Sequence, residues 1–216
     1  MYGKFGKRVL DVILSAMALI ILALPMLIIA LIVKLDSKGP VLFRQKRVGR
    51  GKNTFMMPKF RSMYTETPAE MPTHLLTDPA KWITPVGKIL RKTSLDELPQ
   101  LFSILKGDMS IVGPRPALWN QEDLIAERDK YGANAIRPGL TGWAQINGRD
   151  ELAIEEKAKL DGEYTAALKK GGWAAFIMDC KCFFGTIVKV LKHDGVVEGG
   201  PKEMKNKEAE KETVNK

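Results

Sequence analysis

The stretch from Ser94 to Pro116 reads S-L-D-E-L-P-Q-L-F-S-I-L-K-G-D-M-S-I-V-G-P-R-P and sets two adjacent carboxylates, Asp96 and Glu97, at a predicted helix start. Neighbouring residues on a helix do not face each other, so the pair suits two separate tasks better than sharing one proton. Carboxylates serve as nucleophiles toward phosphorus and as ligands of Mg²⁺. Arg115 lies between two prolines that stiffen its backbone, which makes its guanidinium a candidate phosphate ligand.

The same letters also permit a purely structural interpretation. Ser94 and Glu97 have the S-x-x-E spacing of a capping box, and an acidic residue in the first turn favours a helix. Pro99 fits a helix that begins at Asp96 better than one that begins at Ser94, because its missing N–H costs little only in the first turn. Lys106-Gly107 is typical of a helix end. The expected buried stripe is Leu98, Leu101, Phe102 and Leu105.

Composition indicates an anionic partner without choosing among the classes. The 216 residues carry 34 Lys+Arg against 25 Asp+Glu, a formal charge of +9, which suits nucleic acid, an acidic lipid surface or a phosphorylated substrate. Two histidines and two cysteines are too few for a clustered zinc site. The sequence contains no P-loop, no G-x-G-x-x-G and no D-x-D motif.

The N-terminal region predicts a membrane element. Residues 9–33 are almost wholly apolar, which is long enough for a single membrane-spanning helix. Two features favour a re-entrant helical hairpin instead, bent at Leu24-Pro25: the proline lies inside the run, and basic residues flank both ends. Because positive flanks prefer the cytoplasm, both ends are then expected on that side.

A basic turn, G-R-G-K-N, separates two short runs, Val41 to Gln45 and Thr54 to Met57, that are typical of a β-hairpin. Lys59 and Arg61 follow with alternate spacing, which puts both cations on one face if the chain is extended there. They suit either a substrate phosphate or anionic lipid. The polar stretch from Tyr64 to Pro79 predicts a surface loop and a candidate lid.

A short helix is predicted over Trp82 to Lys92, after the Thr84-Pro85 start. Its last turn carries Arg91, which lies close in sequence to Asp96 and is a candidate positioning partner for the carboxylates. A plain surface arginine is the alternative.

The C-terminal half adds fewer chemical signals. Leu118 to Tyr131 predicts an exposed helix. The glycine-rich segment from Arg137 to Arg149 predicts a loop that approaches a ligand, and Trp143 within it is a candidate for nucleobase stacking or for the core. In a charged helix over Glu151 to Leu168, Asp161 and Tyr164 share a face, where a packing pair is slightly preferred to a substrate role.

An amphipathic helix follows, suited equally to the core or to the membrane interface. After Gly195 the chain is charged and repetitive, as in a disordered tail. The apolar face of the helix comprises Trp173, Phe176, Ile177, Cys180, Phe184, Ile187, Val188 and Leu191.

Four motifs in order resemble the bacterial sugar transferase family, the small monotopic phosphoglycosyl transferases. They are F-R-Q-K-R-V-G from Phe43, K-F-R-S-M from Lys59, R-K-T-S-L-D-E-L-P-Q-L with L-K-G-D-M-S-I-V-G-P-R-P, and R-P-G-L-T-G-W-A-Q-I-N-G-R from Arg137. The likeness runs from about residue 7 to 195. It implies an α+β fold, mainly helical with a short β-hairpin, an N-terminal re-entrant membrane helix hairpin and interfacial amphipathic helices.

The resemblance also implies an activity: sugar 1-phosphate moves from a UDP-sugar to undecaprenyl (polyprenyl) phosphate, and UMP leaves. Asp96 is the expected nucleophile, Asp96 and Glu97 are the expected metal ligands, and Mg²⁺ is the expected cofactor. In a competing mechanism both carboxylates bind metal while the lipid phosphate attacks directly. The expected substrate- and phosphate-binding residues are Lys59, Arg61, Arg91, Arg115, Arg137, Arg149 and Asp161.

The expected organisation is a membrane anchor over residues 1–36, a cytosolic catalytic domain over 37–195 and a tail over 196–216. The expected location is the cytoplasmic face of the bacterial inner (plasma) membrane, with membrane lipid as a partner and without nucleic acid. Oligomeric state is left open, with a homodimer as one option. A competing class is a basic peripheral membrane module that binds anionic lipid or a partner without catalysis.

Overall fold

The computed structural model describes residues 2–68, 78–148 and 151–192, and it is mostly helical with two small sheets. The predicted tail over 196–216 and most of the candidate lid lie outside the described residues. The helices are α1 (Lys7–Asp36), α2 (Pro85–Lys92), α3 (Gln100–Lys106), α4 (Glu122–Lys130), α5 (Trp143–Ile146), α6 (Ile154–Lys170) and α7 (Gly172–Lys192). The strands are β1 (Leu42–Val48), β2 (Thr54–Phe60), β3 (Ser110–Val112) and β4 (Gly139–Thr141).

Helix α1 continues through Pro25 as one helix of 30 residues, so the hairpin predicted from the proline is not confirmed. One side of α1 packs on the rest of the chain along most of its length, first through Ala18, Leu19 and Leu22 and then through Met26, Ile29, Ala30 and Val33. The opposite side is apolar and exposed, at Ile20, Ile21, Leu24, Leu27, Leu31 and Leu35. Among the described residues α1 alone is long and apolar enough to cross a membrane, and its exposed side is compatible with membrane association.

The predicted β-hairpin is confirmed, and both strands are longer than expected. Strands β1 and β2 pair antiparallel, with Phe43 opposite Lys59 and Val48 opposite Thr54. The inner face of β2 carries Phe55 and Met57 into the core beside α3. The alternation along β2 then points Lys59 to the same side as Met57.

The connection from α2 to α3 differs from the predicted capping box. Thr84 caps α2 by accepting a hydrogen bond from the Gly87 N–H at 2.9 Å, as the Thr-Pro start indicates. Ser94 instead has a left-handed backbone and makes no side-chain cap, and a short 3₁₀ turn spans Leu95–Glu97. Helix α3 begins only after Pro99, because a proline has no N–H to continue the turn before it.

The predicted stripe of α3 is partly wrong. Leu101 is buried, but Phe102 is 57% exposed and Ile104 takes its place in the core. The predicted end at Lys106-Gly107 is confirmed, with Gly107 in the left-handed region at φ 100°.

A second sheet, not predicted, pairs β3 and β4 in parallel, with Ser110 opposite Gly139 and Val112 opposite Thr141. The loop after β3 is seated closely on β4: a Cβ added at Gly113 would lie 2.5 Å from the Arg137 carbonyl oxygen. This contact fixes the start of the segment that carries Arg115.

Helix α7 turns its predicted apolar face outward. Trp173 is 77% exposed and Phe184 is 61% exposed, whereas Ala175, Asp179 and Cys182 are buried. The core interpretation of that face is therefore wrong, and the outward apolar surface is compatible with a membrane interface.

Candidate active site

Three segments bring the predicted acidic pair together with cations. The 3₁₀ turn before α3 carries Asp96 and Glu97, β2 carries Lys59, and the loop after β3 carries Arg115. Lys59 Nζ lies 2.8 Å from Glu97 Oε1, and Arg115 Nη2 lies 2.9 Å from the same oxygen. Glu97 thus joins residues 38 and 18 positions away in the chain.

Glu97 is held in its ionised form by these two partners. Its side chain is 12% exposed, and burial by itself would raise its pKa. Arg115 and Lys59 outweigh burial through charge and hydrogen bonding and hold the pKa of Glu97 well below its usual range. Because Glu97 has these partners, its side chain is not the return half of a capping box with Ser94.

Asp96 has a different environment. It is 7% exposed, and among the residues that the structure describes it accepts no hydrogen bond and forms no ion pair. Burial raises the pKa of Asp96, with Glu97 adding to the effect, while Lys59, Arg91 and Arg115 pull it down. A carboxylate without hydrogen-bond or ion-pair partners, placed near cations, is suited to react with phosphorus or to bind a metal.

Lys59 and Arg91 are both placed near Asp96. Burial lowers the pKa of Lys59, although Glu97 works against this. The Arg91 guanidinium, on α2, lies 3.8 Å from the Met63 sulfur through Nη1, and its buried Nε has no partner. An unpaired buried N–H is costly and is relieved when an anion binds.

Arg47 is a site residue that the sequence analysis missed. From β1 its Nη1 donates to the Pro116 carbonyl at 3.0 Å and its Nη2 to Gln45 at 2.5 Å, while its buried Nε has no partner. Burial, with the nearby Arg115 charge, lowers the pKa of Arg47 to about 9, so it stays protonated at neutral pH. Its position in the F-R-Q-K-R-V-G motif was the available signal.

The site offers two carboxylates for a metal, and within the described residues no group of three or more His, Cys, Asp or Glu side chains could hold one. The two carboxylates suit Mg²⁺, which typically takes one or two protein carboxylates with substrate phosphate oxygens. Both cations contact Oε1 of Glu97, which leaves Oε2 for such a role beside the Asp96 carboxylate.

Arg61 lies away from the acidic pair. It is 4% exposed and donates to the carbonyl oxygens of Val33, Ser37 and Lys38 at the end of α1, at 2.6–3.1 Å. Strand β2 ends at Phe60, so the alternation that was expected to place Arg61 beside Lys59 stops one residue early.

Arg137 and Asp161 are likewise engaged elsewhere. Arg137 Nε donates to the Gly107 carbonyl at 2.9 Å, and its charged neighbours are Arg8, Arg50 and Asp11. Asp161 is 1% exposed and forms a buried ion pair with Arg128. Arg149 lies outside the described residues.

Trp143 packs beside an apolar cluster around Tyr164. Its indole N–H donates to Glu163 at 2.9 Å. The ring therefore has a packing role in the structure, and nucleobase stacking on it stays a prediction.

The site is a buried acidic pair in which Glu97 is paired and Asp96 is available, with lysine and arginine side chains around it. This arrangement suits phosphate-bearing substrates. The chain belongs to the bacterial sugar transferase family, whose family model matches residues 2–193. It is therefore a transferase.

Individual relatives agree with this family. The chain is 37% identical over 190 residues to the uncharacterized sugar transferase EpsL of Bacillus subtilis, covering 88% of this chain and 89% of EpsL. It is 39% identical over 194 residues to the exopolysaccharide production protein PSS of Rhizobium leguminosarum bv. phaseoli, covering 86% and 94%. It is 42% identical over 203 residues to the undecaprenyl-phosphate glucose phosphotransferase of Komagataeibacter xylinus, covering 88% of this chain but 36% of that longer protein.

Proposed function

We propose that this protein transfers sugar 1-phosphate from a UDP-sugar to undecaprenyl phosphate and releases UMP, as the first membrane step in building a cell-surface glycan. The observation that carries the proposal is the unpaired, buried Asp96 carboxylate beside Glu97, which Lys59 and Arg115 hold ionised. The name of the Komagataeibacter xylinus relative supports the lipid acceptor.

In the first step an Asp96 carboxylate oxygen attacks the sugar-bearing phosphorus of the donor. A bond forms between that oxygen and phosphorus, the bond from phosphorus to the bridging oxygen breaks, and UMP leaves with the bridging oxygen. Arg115, Arg91 and Lys59 are placed to offset the charge on the phosphoryl oxygens. The product is a phosphosugar-aspartyl enzyme.

In the second step an oxygen of undecaprenyl phosphate attacks the same phosphorus. The aspartyl oxygen–phosphorus bond breaks, so Asp96 returns to its carboxylate form and undecaprenyl diphosphate sugar leaves. Asp96 and Glu97 would hold Mg²⁺, which when bound neutralises charge on the donor diphosphate. Glu97 keeps Lys59 and Arg115 in place throughout.

The site must meet a lipid, and α1 supports a position on one leaflet. Because α1 contacts the rest of the chain from Asp11 to Asp36, both of its ends stay on the side of the catalytic residues. We place that side at the cytoplasmic face, with the exposed apolar sides of α1 and α7 in lipid.

Cysteine labelling tests this placement. Gly6→Cys and Ser37→Cys, each in a background with Cys180 and Cys182 replaced by serine, are expected to react with a membrane-impermeant maleimide only in inverted vesicles. Labelling of the Gly6 variant in intact cells would mean that α1 crosses the membrane.

The activity test is UMP release with undecaprenyl phosphate and a panel of UDP-glucose, UDP-galactose, UDP-N-acetylglucosamine and UDP-N-acetylgalactosamine. Wild type is expected to release UMP with at least one donor and to form the matching lipid-linked sugar. Asp96→Asn is expected to do neither while staying in the membrane fraction. The control is Asp108→Asn, which is expected to keep activity. Asp108 lies twelve positions after Asp96 and forms an ion pair with Lys106. Full activity of Asp96→Asn, or no activity of wild type with any donor, would contradict the proposal.

A further inference from the structure

Asp11 is a buried acid inside the apolar helix α1. It is 4% exposed, and both of its carboxylate oxygens have donors on β3. Ser110 Oγ donates to Oδ2 at 2.7 Å, and the Ile111 N–H donates to Oδ1 at 3.0 Å. A carboxylate in such a segment is costly unless its oxygens are satisfied, and here both of them are.

The strand that Asp11 binds leads directly into the active site. Four residues after Ile111 the chain reaches Arg115, which contacts Glu97 at 2.9 Å. The turn between them is held tightly, because a Cβ at Gly113 would lie 2.5 Å from the Arg137 carbonyl oxygen. A shift of Asp11 along β3 therefore changes the position of α1 relative to Arg115.

A second buried contact ties the same end of α1 to the same strand. Lys7, one turn before Asp11, forms an ion pair of 2.8 Å with Asp179 on α7. Tyr164 Oη lies 2.7 Å from Asp179 and 3.0 Å from the carbonyl oxygen of Val112, the last residue of β3. Asp11 thus contacts the first residues of β3 directly, and Lys7 is linked to its last residue through Asp179 and Tyr164.

These polar contacts differ in kind from the apolar packing along the middle of α1. Apolar contacts are not directional, so they allow a helix to slide or rotate slightly on its neighbour. A carboxylate that accepts from one backbone N–H and one hydroxyl has a single satisfactory register. Asp11 therefore sets the register of the N-terminal part of α1, while Arg61 and the Val86 N–H hold its C-terminal end.

We propose that Asp11 is a positioning residue for transfer to the lipid acceptor. By fixing the depth and rotation of α1 relative to Arg115, it determines where a polyprenyl phosphate lying along α1 presents its phosphate to the phosphosugar-enzyme. This inference rests on the proposed function. It assigns Asp11 to the second step, because the polyprenyl chain of the acceptor, unlike the soluble donor, suits the exposed apolar side of α1.

The test separates the two half-reactions in full-length protein in nanodiscs. The donor is an equimolar mixture of UDP-glucose, UDP-galactose, UDP-N-acetylglucosamine and UDP-N-acetylgalactosamine. UMP released per enzyme without lipid reports the first half-reaction, and the KM for undecaprenyl phosphate reports the second. Asp11→Leu is expected to keep the first half-reaction and to raise the KM by about 10- to 100-fold, which corresponds to a loss of about 1.4–2.8 kcal/mol in binding of the lipid phosphate.

Asp11→Asn is the matched control. Its amide oxygen can accept from Ile111 N–H, and its amide nitrogen can donate to Ser110 Oγ, so the KM is expected to return close to the wild-type value. Ser110→Ala, which removes only one of the two donors, is expected to raise the KM by an intermediate factor and decides the matter if Asp11→Leu does not fold.

Distinct results overturn the two claims. A wild-type KM in both Asp11→Leu and Ser110→Ala, or loss of the first half-reaction in a folded Asp11→Leu protein, would overturn the positioning role. A high KM in Asp11→Asn would also overturn it, because the hydrogen bonds would then not be the cause. Failure of wild type itself to release UMP without lipid would instead contradict the covalent mechanism.

Discussion

Replacing Arg128 with methionine tests whether Asp161 supports the fold or binds substrate. Arg128 on α4 and Asp161 on α6 form an ion pair of 2.6 Å, with side chains 5% and 1% exposed. Removing one partner of a buried pair costs about 3–5 kcal/mol, because the other charge is left uncompensated. In a protein of this size about 2–4 °C follows from each kcal/mol, so the melting temperature is expected to fall by about 6–20 °C.

The assay is thermal unfolding of the purified protein in nanodiscs, followed by near-ultraviolet circular dichroism, with UMP release measured well below the transition. Arg128→Met is expected to melt early and to keep most of its activity. The double variant Arg128→Met/Asp161→Leu is expected to recover stability, because apolar replacement of a buried pair is often neutral. An unchanged melting temperature combined with lost activity would refute this reasoning and make Asp161 a substrate residue.

The other predictions concern Asp96 and Arg61. Asp96→Asn is expected to increase the free energy of unfolding at neutral pH by about 0.5–2 kcal/mol, because it removes an unpaired buried charge. Calorimetry measures the corresponding rise in melting temperature. Burial raises the pKa of Asp96. As the pH falls through that raised pKa, Asp96 of the wild type takes up a proton, so the stability advantage of Asp96→Asn is expected to shrink. An advantage that grows toward acid pH would argue against a buried charge. Because the nucleophile must be ionised, the rate of UMP release is expected to start falling at a pH above about 4, the ordinary carboxyl pKa. A rate that stays constant down to about pH 4 would rule out a nucleophile with a raised pKa. Arg61→Met is expected to lower the free energy of unfolding by at least about 1.5–3 kcal/mol, the contribution of one hydrogen bond to a charged group, and to leave the KM for the donor unchanged. The control is Arg44→Met on the exposed side of β1. A raised donor KM with normal stability would mean that Arg61 belongs to the site.

Local sequence signals predicted the elements whose determinants are local. The turn G-R-G-K-N specified the hairpin, the Thr84-Pro85 start specified α2, and Gly107 specified the end of α3. The acidic pair was also found, since two carboxylates beside a helix start are visible in the letters themselves.

The remaining features depend on contacts distant in sequence. Arg47 reaches the site through the Pro116 carbonyl, 69 positions away, and the three-residue strands β3 and β4 are too short for a periodic pattern. The capping box failed because Glu97 forms ion pairs with Lys59 and Arg115 instead of returning to Ser94. The hairpin in α1 was inferred from Pro25, from the basic residues at both ends of the apolar run and from the family resemblance, whereas the structure has one continuous helix that packs along most of its length.

The central claim is that Asp96 becomes covalently bound to phosphosugar. The most direct measurement is intact-protein mass spectrometry of the enzyme incubated with Mg²⁺ and its UDP-sugar without lipid, followed by mapping of the modified peptide. The account predicts an added sugar phosphate on Asp96 that disappears when undecaprenyl phosphate is supplied. Active enzyme that carries no such adduct, or carries it on another residue, would contradict the account.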